Sequence, residues 1–316
     1  MAACATLPPT SESRTGFSFA LIGDLPYSER EEIAFDALID AINADPSVTF
    51  VMHAGDVKGG SEPCTDALIR ARYEQLQRFR MAVVYTPGDN EWTDCHRFTA
   101  GRFNPLERLA FVRSLVFSDP KRSNGGQPFA VEPQSALGGY DDYVENALLV
   151  RDRVVFATLH VVGSDNGLAP WVGLDATDTR ARPRADRLRE VERRSAAALR
   201  WIDRAFERAR ATDAAGVFLL MQANPRFDLP PSHARRQPFE PLLQRLRERA
   251  VEFGRPVVLA HGDMHKLIID QPIAQPADGK PLQNLTRVQT FGSPRIRWIR
   301  VHVDPVTPQV FFFTPR

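Results

Sequence analysis

FSFALIGD (residues 17–24) is an apolar run that stops at Gly-Asp, and the same ending closes TFVMHAGD (49–56), MAVVYTPGD (81–89) and PVVLAHGD (256–263). Runs of this length and composition read as buried strands; helical stretches alternate with them, so the strands are expected to lie largely parallel. Ligands of parallel sheets bind at the carboxyl ends of the strands, where loops gather. Asp24, Asp56, Asp89 and Asp263 would therefore converge. Carboxylates brought together out of water repel one another and shift their pKa values unless a cation stands among them, a metal ion being the usual occupant. The glycine before each Asp is expected to turn the backbone off the strand without filling the pocket. A lone strand-end Asp reads more simply as a turn former or helix cap. Four in one pattern point to a site.

Outward from these strands, SEREEIAFDALIDAINA (28–44) has the apolar spacing of a helix lying on a sheet, and further helices are expected near 65–79 and at 104–117, the last with an Asn cap and Pro at its first position. Residues 118–143 are rich in Gly, Pro, Ser and Asn and read as a long surface insertion over the site. Strand-like runs at 147–151 and 153–162 join at a tight Arg-Asp-Arg turn, and a second irregular segment, 163–183, leads into an amphipathic helix at 184–211. GVFLLMQAN (216–224), a helix at 239–254 ended by Gly254, and PVVLAHGDMH follow. The tail, 282–313, shows three alternating runs, expected to be antiparallel strands completing a second sheet.

The chain has 316 residues, 43% hydrophobic and 25% charged, which suits a soluble globular protein with a substantial core. A net charge of +1 without a basic run excludes a general nucleic-acid binder or an electrostatic membrane anchor, and no stretch reaches the apolar length of a transmembrane helix. No composition break or repeat divides the chain, so one domain at 17–316 after a tail at 1–16 is expected. Met1-Ala2-Ala3-Cys4 ahead of a Pro/Ser/Thr stretch resembles a bacterial lipoprotein cleavage box without its apolar leader. On that reading Cys4 carries a lipid anchor in the precursor, and the protein is periplasmic, secreted or membrane-anchored. An ordinary disordered tail on a cytoplasmic protein is the alternative. Cys64 and Cys95 fall on loops at the same end of the sheet, as a disulfide across the mouth of the site or as two free thiols.

Taken in order, the motifs resemble the calcineurin-like metallophosphoesterase superfamily over about residues 17–313. The family carries Asp-x-His after the first strand, Gly-Asp after the second, Gly-Asn-His-Asp/Glu after the third, a later His, and Gly-His-x-His near the end. The resemblance implies an α/β fold of four layers, two mixed sheets flanked by helices. It also implies hydrolysis of phosphomonoesters or phosphodiesters by a metal-activated water. This chain departs from the pattern: Pro26 stands for the first His, Asp89 for the metal-binding Asn, Asn90 for the catalytic His, Gln222 for the later His, and Asp263 for the first His of the last motif, whereas Asp56 and His265 are retained.

Carried over residue by residue, one metal position would have Asp24, Asp56 and His265, and the other Asp56, Asp89, Gln222 and Asp263. The second set is all oxygen, which favours Mg²⁺, Mn²⁺ or Ca²⁺ over Zn or Fe, and a single tightly held ion over a pair. A one-residue shift in register would make Asn90 the ligand in place of Asp89. Asn90 cannot titrate, so His96, His160 and His261 are the candidate proton donors for the leaving group, His261 first because it abuts Gly262. His160 ends its strand ahead of Gly163-Ser164-Asp165-Asn166, where pocket lining and packing are both open, and His53 reads as a core residue. Arg97 would grip a phosphate or pair with a loop carboxylate; Tyr27 would donate a hydrogen bond into the site or ligate a metal; Asn224 would contact substrate. The competing reading is a catalytically degenerate binding or structural module in which Lys58 and Lys266, two of only four lysines, replace the metal.

Overall fold

Alternation along the first strand decides which side of the sheet meets what. The structure, a computed structural model, describes residues 16–275 and 279–316. In β1 (Phe17–Ile22), Phe17, Phe19 and Leu21 face one apolar layer and Ala20 and Ile22 another. β2 (Val48–His53) and β3 (Ala82–Tyr85) run parallel to it, and β4 (Asn124–Gly125) adds to β3 antiparallel. β12 (Ile299–Val303) and β13 (Phe311–Pro315) close the other edge antiparallel, giving a six-stranded sheet ordered β13-β12-β1-β2-β3-β4.

The second sheet has seven strands. β7 (Val154–Thr158), β8 (Gly216–Leu220), β9 (Val257–His261) and β11 (Leu285–Gln289) are parallel at its centre. β5 (Glu132–Pro133), β6 (Ala147–Arg151) and β10 (Ile268–Asp270) are antiparallel at its margins. Between the sheets Phe19 stacks on Phe50 at 4.8 Å and meets Phe156 and Phe218 edge-on at 5.6 and 5.1 Å. Side chains of this size stabilise by about 1.5–3 kcal/mol each when fully buried. Helices Glu29–Ala44, Asp66–Leu76 and Pro105–Val116 cover the outer face of the first sheet, and Ala185–Ala211 and Glu240–Phe253 that of the second through Trp201, Phe206 and Leu246. The four layers are those the resemblance implied. Among the described residues no helix is long and apolar enough to cross a membrane.

The expected cap and stop are present, Asn104 accepting from a backbone N–H of its helix and Gly254 ending its helix at φ 66°, and Ser28 and Thr65 cap two further helices in the same way. Asp152 and Arg153, both at positive φ, make the tight turn between β6 and β7. Three expectations need correcting. Of the tail, β11 lies parallel to β9 in the second sheet, whereas β12 and β13 return to the first; alternation marks a half-covered strand but not its direction. Residues 118–143 carry β4 and β5, one in each sheet, so this stretch is a seam between the sheets, and none of its residues lines the acidic cleft described below. Gly88 and Gly262 do not make the turns. A Cβ on them would lie 1.9 Å from Asp56 Oδ1 and 2.1 Å from Asp24 Oδ2, so their role is clearance, and the left-handed backbone falls on Asp24, Asp56 and Asp263 themselves. The tail through residue 15, with its lipid-anchor reading of Cys4, lies outside the described residues.

Candidate functional site

The carboxyl ends of β1, β2, β3, β8 and β9 open into a cleft of about 490 Å³ lined by Tyr27, Asp56, Asp89, Asn90, Asp94, Arg97, Asn224, Asp263 and His265. Asp24 lies just beneath, fully buried, and accepts from the Asp263 backbone N–H at 2.8 Å. A larger hollow of about 900 Å³, bordered by Leu109, Arg113 and Arg193, contains none of these residues.

Burial, reinforced by neighbouring Asp89, Glu91 and Asp24, pushes the Asp56 carboxyl well up. Burial does the same to Asp24, with Asp263 and Asp89 adding to it, and lifts Asp263 to about 7 with Asp89 contributing. Asp94 is raised by burial and by Asp89, although Arg97 Nη2 sits 2.5 Å from its Oδ2. Ser164 Oγ stands 2.9 Å from Asp89 Oδ2 and 2.7 Å from Asp94 Oδ1. The floor is thus a group of buried carboxylates with neutral donors around them and arginines at the edge.

The lysines do not fill the gap. Lys58 Nζ donates to the carbonyls of Gly59 and Asn90 at 2.8 and 2.9 Å, and Lys266 is exposed. The histidines expected to donate protons do not line the cleft either. His160 is buried with Nδ1 2.6 Å from Glu145 Oε1; burial lowers His261 to about 3, its Nδ1 lying 3.0 Å from Gly262 O; burial and Arg97 lower His96 to about 4 while Gly173 N–H donates to its Nδ1. A strand-end histidine turned into the core bonds through Nδ1 and leaves its Nε2 buried without a partner, and chain position alone cannot tell which way it turns. His53 is likewise in the core, accepting from Gly55 N–H.

Whether these residues fit a divalent ion depends on where their lone pairs go. Asp56 Oδ2 accepts three hydrogen bonds, from Tyr27 OH at 2.9 Å, Asn90 Nδ2 at 3.0 Å and Gln222 Nε2 at 3.0 Å. Gln222 Oε1 accepts from Gly163 N–H at 2.7 Å, which fixes the amide with its nitrogen toward Asp56. Gln222 therefore turns its nitrogen, not its oxygen, toward Asp56, whose Oδ2 is fully occupied, so the expected set of Asp56, Asp89, Gln222 and Asp263 would need these side chains to rearrange before holding an ion. Asn90 points its amide nitrogen at Asp56 and Tyr27, and its Oδ1 toward Gly60.

Asp24, Asp89, Asp263 and His265 fit better. His265 Nδ1–H donates to Ser293 O at 2.7 Å, which leaves Nε2 as a bare acceptor 3.8 Å from Asp24 Oδ1. Asp89 Oδ2 and Asp263 Oδ1 both border Gly163, where an added Cβ would lie 2.6 and 3.1 Å from them. Among the described residues, no three His, Cys, Asp or Glu side chains are close enough together to hold an ion as they stand, so binding would require this ring to tighten.

The Cys64–Cys95 disulfide, Cα to Cα 5.6 Å, ties the loop after β2 to the loop carrying Asp89 to Arg97. Asp94, Ser164, Asp165, Arg180, Arg226 and Arg235 also line the cleft and were not singled out as site residues in the sequence. Their one signal was the Gly163-Ser164-Asp165-Asn166 run after a strand; the arginines sit in loops without a motif.

No family model matches the chain, and no curated protein matches it. Among solved structures, it is similar to PhoD with a TM-score of 0.54 and 13% identity, over 98% of this chain and 70% of that one. GAP50, the anchor in the inner membrane complex of Plasmodium, aligns with a TM-score of 0.45 and 9% identity, over 96% of this chain and 89% of that one. At such identities the likeness to PhoD bears on the fold alone.

Proposed function

We propose that the chain hydrolyses phosphate esters in this cleft with one divalent ion held by Asp24, Asp89, Asp263 and His265. Three carboxylate donors favour Mg²⁺, Mn²⁺ or Ca²⁺. The observation that carries this reading is the pair of acceptors, His265 Nε2 and Asp24 Oδ1, facing each other at 3.8 Å with no cationic side chain between them. A bound cation would offset the repulsion between the floor carboxylates and a phosphate ester. When bound, such an ion supplies Lewis acidity toward a phosphoryl oxygen and toward water.

The chain's own residues position the ester. Arg97, held by Asp94 and Ser164, offers its guanidinium fork to the phosphoryl oxygens. The Tyr27 phenol, kept protonated by burial and by Asp56, donates its one O–H to Asp56 Oδ2 and accepts from Asn90 Nδ2, which fixes both side chains beneath the ester. The Cys64–Cys95 disulfide supports placing the protein in an oxidising compartment.

Calorimetric titration with Mg²⁺, Mn²⁺, Ca²⁺ and Zn²⁺, beside p-nitrophenyl phosphate and bis-p-nitrophenyl phosphate hydrolysis, tests the reading. Ion uptake and hydrolysis that Asp24→Asn and Asp263→Asn both remove would support it; neither uptake nor hydrolysis in the wild type would sink it. One observation favours a second reading, a non-catalytic module that binds phosphate esters: the three neutral donors already occupying Asp56 Oδ2. Phosphate binding without turnover would select it.

A further inference from the structure

The rim of the cleft is as basic as its floor is acidic. Arg97, Arg180, Arg226 and Arg235 come from three separate loops, the last two sharing the one after β8, and all line it. Three of the guanidiniums are well exposed, with side-chain accessibilities of 44%, 52% and 61% for Arg97, Arg180 and Arg235. One turn organises them. Ser164, Asp165 and Asn166 take φ values of 50°, 57° and 57°, and Gly167 follows at 78°. Successive left-handed residues other than glycine cost about 1–2 kcal/mol each, and Arg194 holds the turn in place through both oxygens of Asn166.

This conformation sends Ser164 down to Asp89 and Asp94 and Asp165 up to the rim, where its carboxylate is shared by Arg180 and by Arg235, the latter at 3.8 Å. A single charge shared between two guanidiniums leaves them under-compensated. They are aimed at the cleft and supplied with too little of their own anion.

We infer that the substrate carries a second anionic group beside the scissile phosphate, a diphosphate or short polyphosphate ester, and that Arg180 and Arg235 bind it. This rests on the hydrolase reading for the position of the scissile group but not for the existence of the rim. The spacing selects neighbouring phosphoryl groups. Gly163 borders Asp89 and Asp263 of the floor, and Asp165 is two residues further on, a span of at most about 7 Å. Arg97 reaches Ser164, the residue between Gly163 and Asp165, at 3.3 Å, so three guanidiniums can engage adjacent phosphoryl oxygens in bidentate fashion.

The test compares binding of methylenediphosphonate with that of inorganic phosphate by calorimetry, with and without Mn²⁺, in the full chain and in the Arg180→Ala/Arg235→Ala double variant. Both side chains are exposed, and a thermal melt checks that the variant is folded. The wild type should bind the diphosphonate at least tenfold more tightly than phosphate, and the double variant should lose that preference, while Arg180→Lys/Arg235→Lys keeps part of it. A ratio near one in the wild type, or an undiminished ratio in the double alanine variant, overturns the inference. Preference without p-nitrophenyl phosphate hydrolysis would leave the second-anion site standing and remove the hydrolase; hydrolysis without preference would do the reverse.

Discussion

Glu145 and Asp56 are both buried carboxylates, 0% and 2% exposed, and the fold treats them in opposite ways. Arg113 meets Glu145 with two hydrogen bonds at 3.0 and 2.6 Å, and His160 stands 2.6 Å away on the other side. Burial alone would raise the Glu145 carboxyl; Arg113 and then His160 outweigh it and hold the group well below the usual range. Asp56 receives neutral donors and acidic neighbours, so burial and repulsion both push it up. This chain has the means to neutralise a buried carboxylate from within. Where it groups Asp24, Asp56 and Asp263, burial outweighs the pull of its own cations, Lys58 and Arg226, and a cation from outside would complete the compensation.

The largest effect that could break the comparison is the loss of Glu145 itself. Glu145→Ala leaves Arg113 and His160 without their shared anion and should destabilise the protein by about 3–5 kcal/mol in denaturant melts. Asp263→Asn, in contrast, should raise the melting temperature of the metal-free protein. A tolerated Glu145→Ala, or an Asp263→Asn that melts lower, would erase the distinction between the two regions.

An ion that binds the folded chain alone should stabilise it by about 2.7 kcal/mol at a hundred times its Kd. Manganese should therefore raise the melting temperature of the wild type and leave that of Asp24→Asn unchanged. An equal shift in both would place the ion elsewhere.

The two regions also answer pH with opposite signs. Asp263 titrates near 7 when folded against an ordinary 3.8, so its contribution is complete below about pH 4 and is lost as pH rises through 7. Glu145 is depressed, so its contribution is present above its ordinary 4.5 and is lost as pH falls below that value. The buried histidines, whose lowered values act with the opposite sign, are common to wild type and variant, so from pH 5 to pH 7.5 the metal-free wild type should lose melting temperature relative to Asp263→Asn. A difference between the two that stays constant over this range would contradict the assignment. The smallest effect is expected at Tyr27→Phe, which removes one of three donors on Asp56 and should cost about 1 kcal/mol by the same melts.

The sequence made the central strands legible because each is a continuous apolar run, and it made Asp24, Asp56, Asp89 and Asp263 legible because each follows one. β4 and β5 have two residues apiece, too few to show any period, so the seam read as an insertion. Gln222 carried the right atoms for a ligand, yet Gly163 N–H turns its oxygen away, a long-range contact that no local pattern encodes. The arginines of the rim come from two irregular stretches as well as the Asp89 loop, and what unites them is the left-handed turn after β7, a backbone conformation with no signature beyond Gly163-Ser164-Asp165-Asn166.

β1 pairs with β12 across nearly the whole chain, Phe17 opposite Val303. During synthesis β1 must wait, with one edge open, until residues 299–303 are made. Contacts this distant along the chain close slowly, and an exposed strand edge invites pairing with other chains. A ribosome-bound intermediate ending before residue 299 should therefore be the species most dependent on chaperones, and loss of the last two strands should cause aggregation before it causes any defect in the cleft.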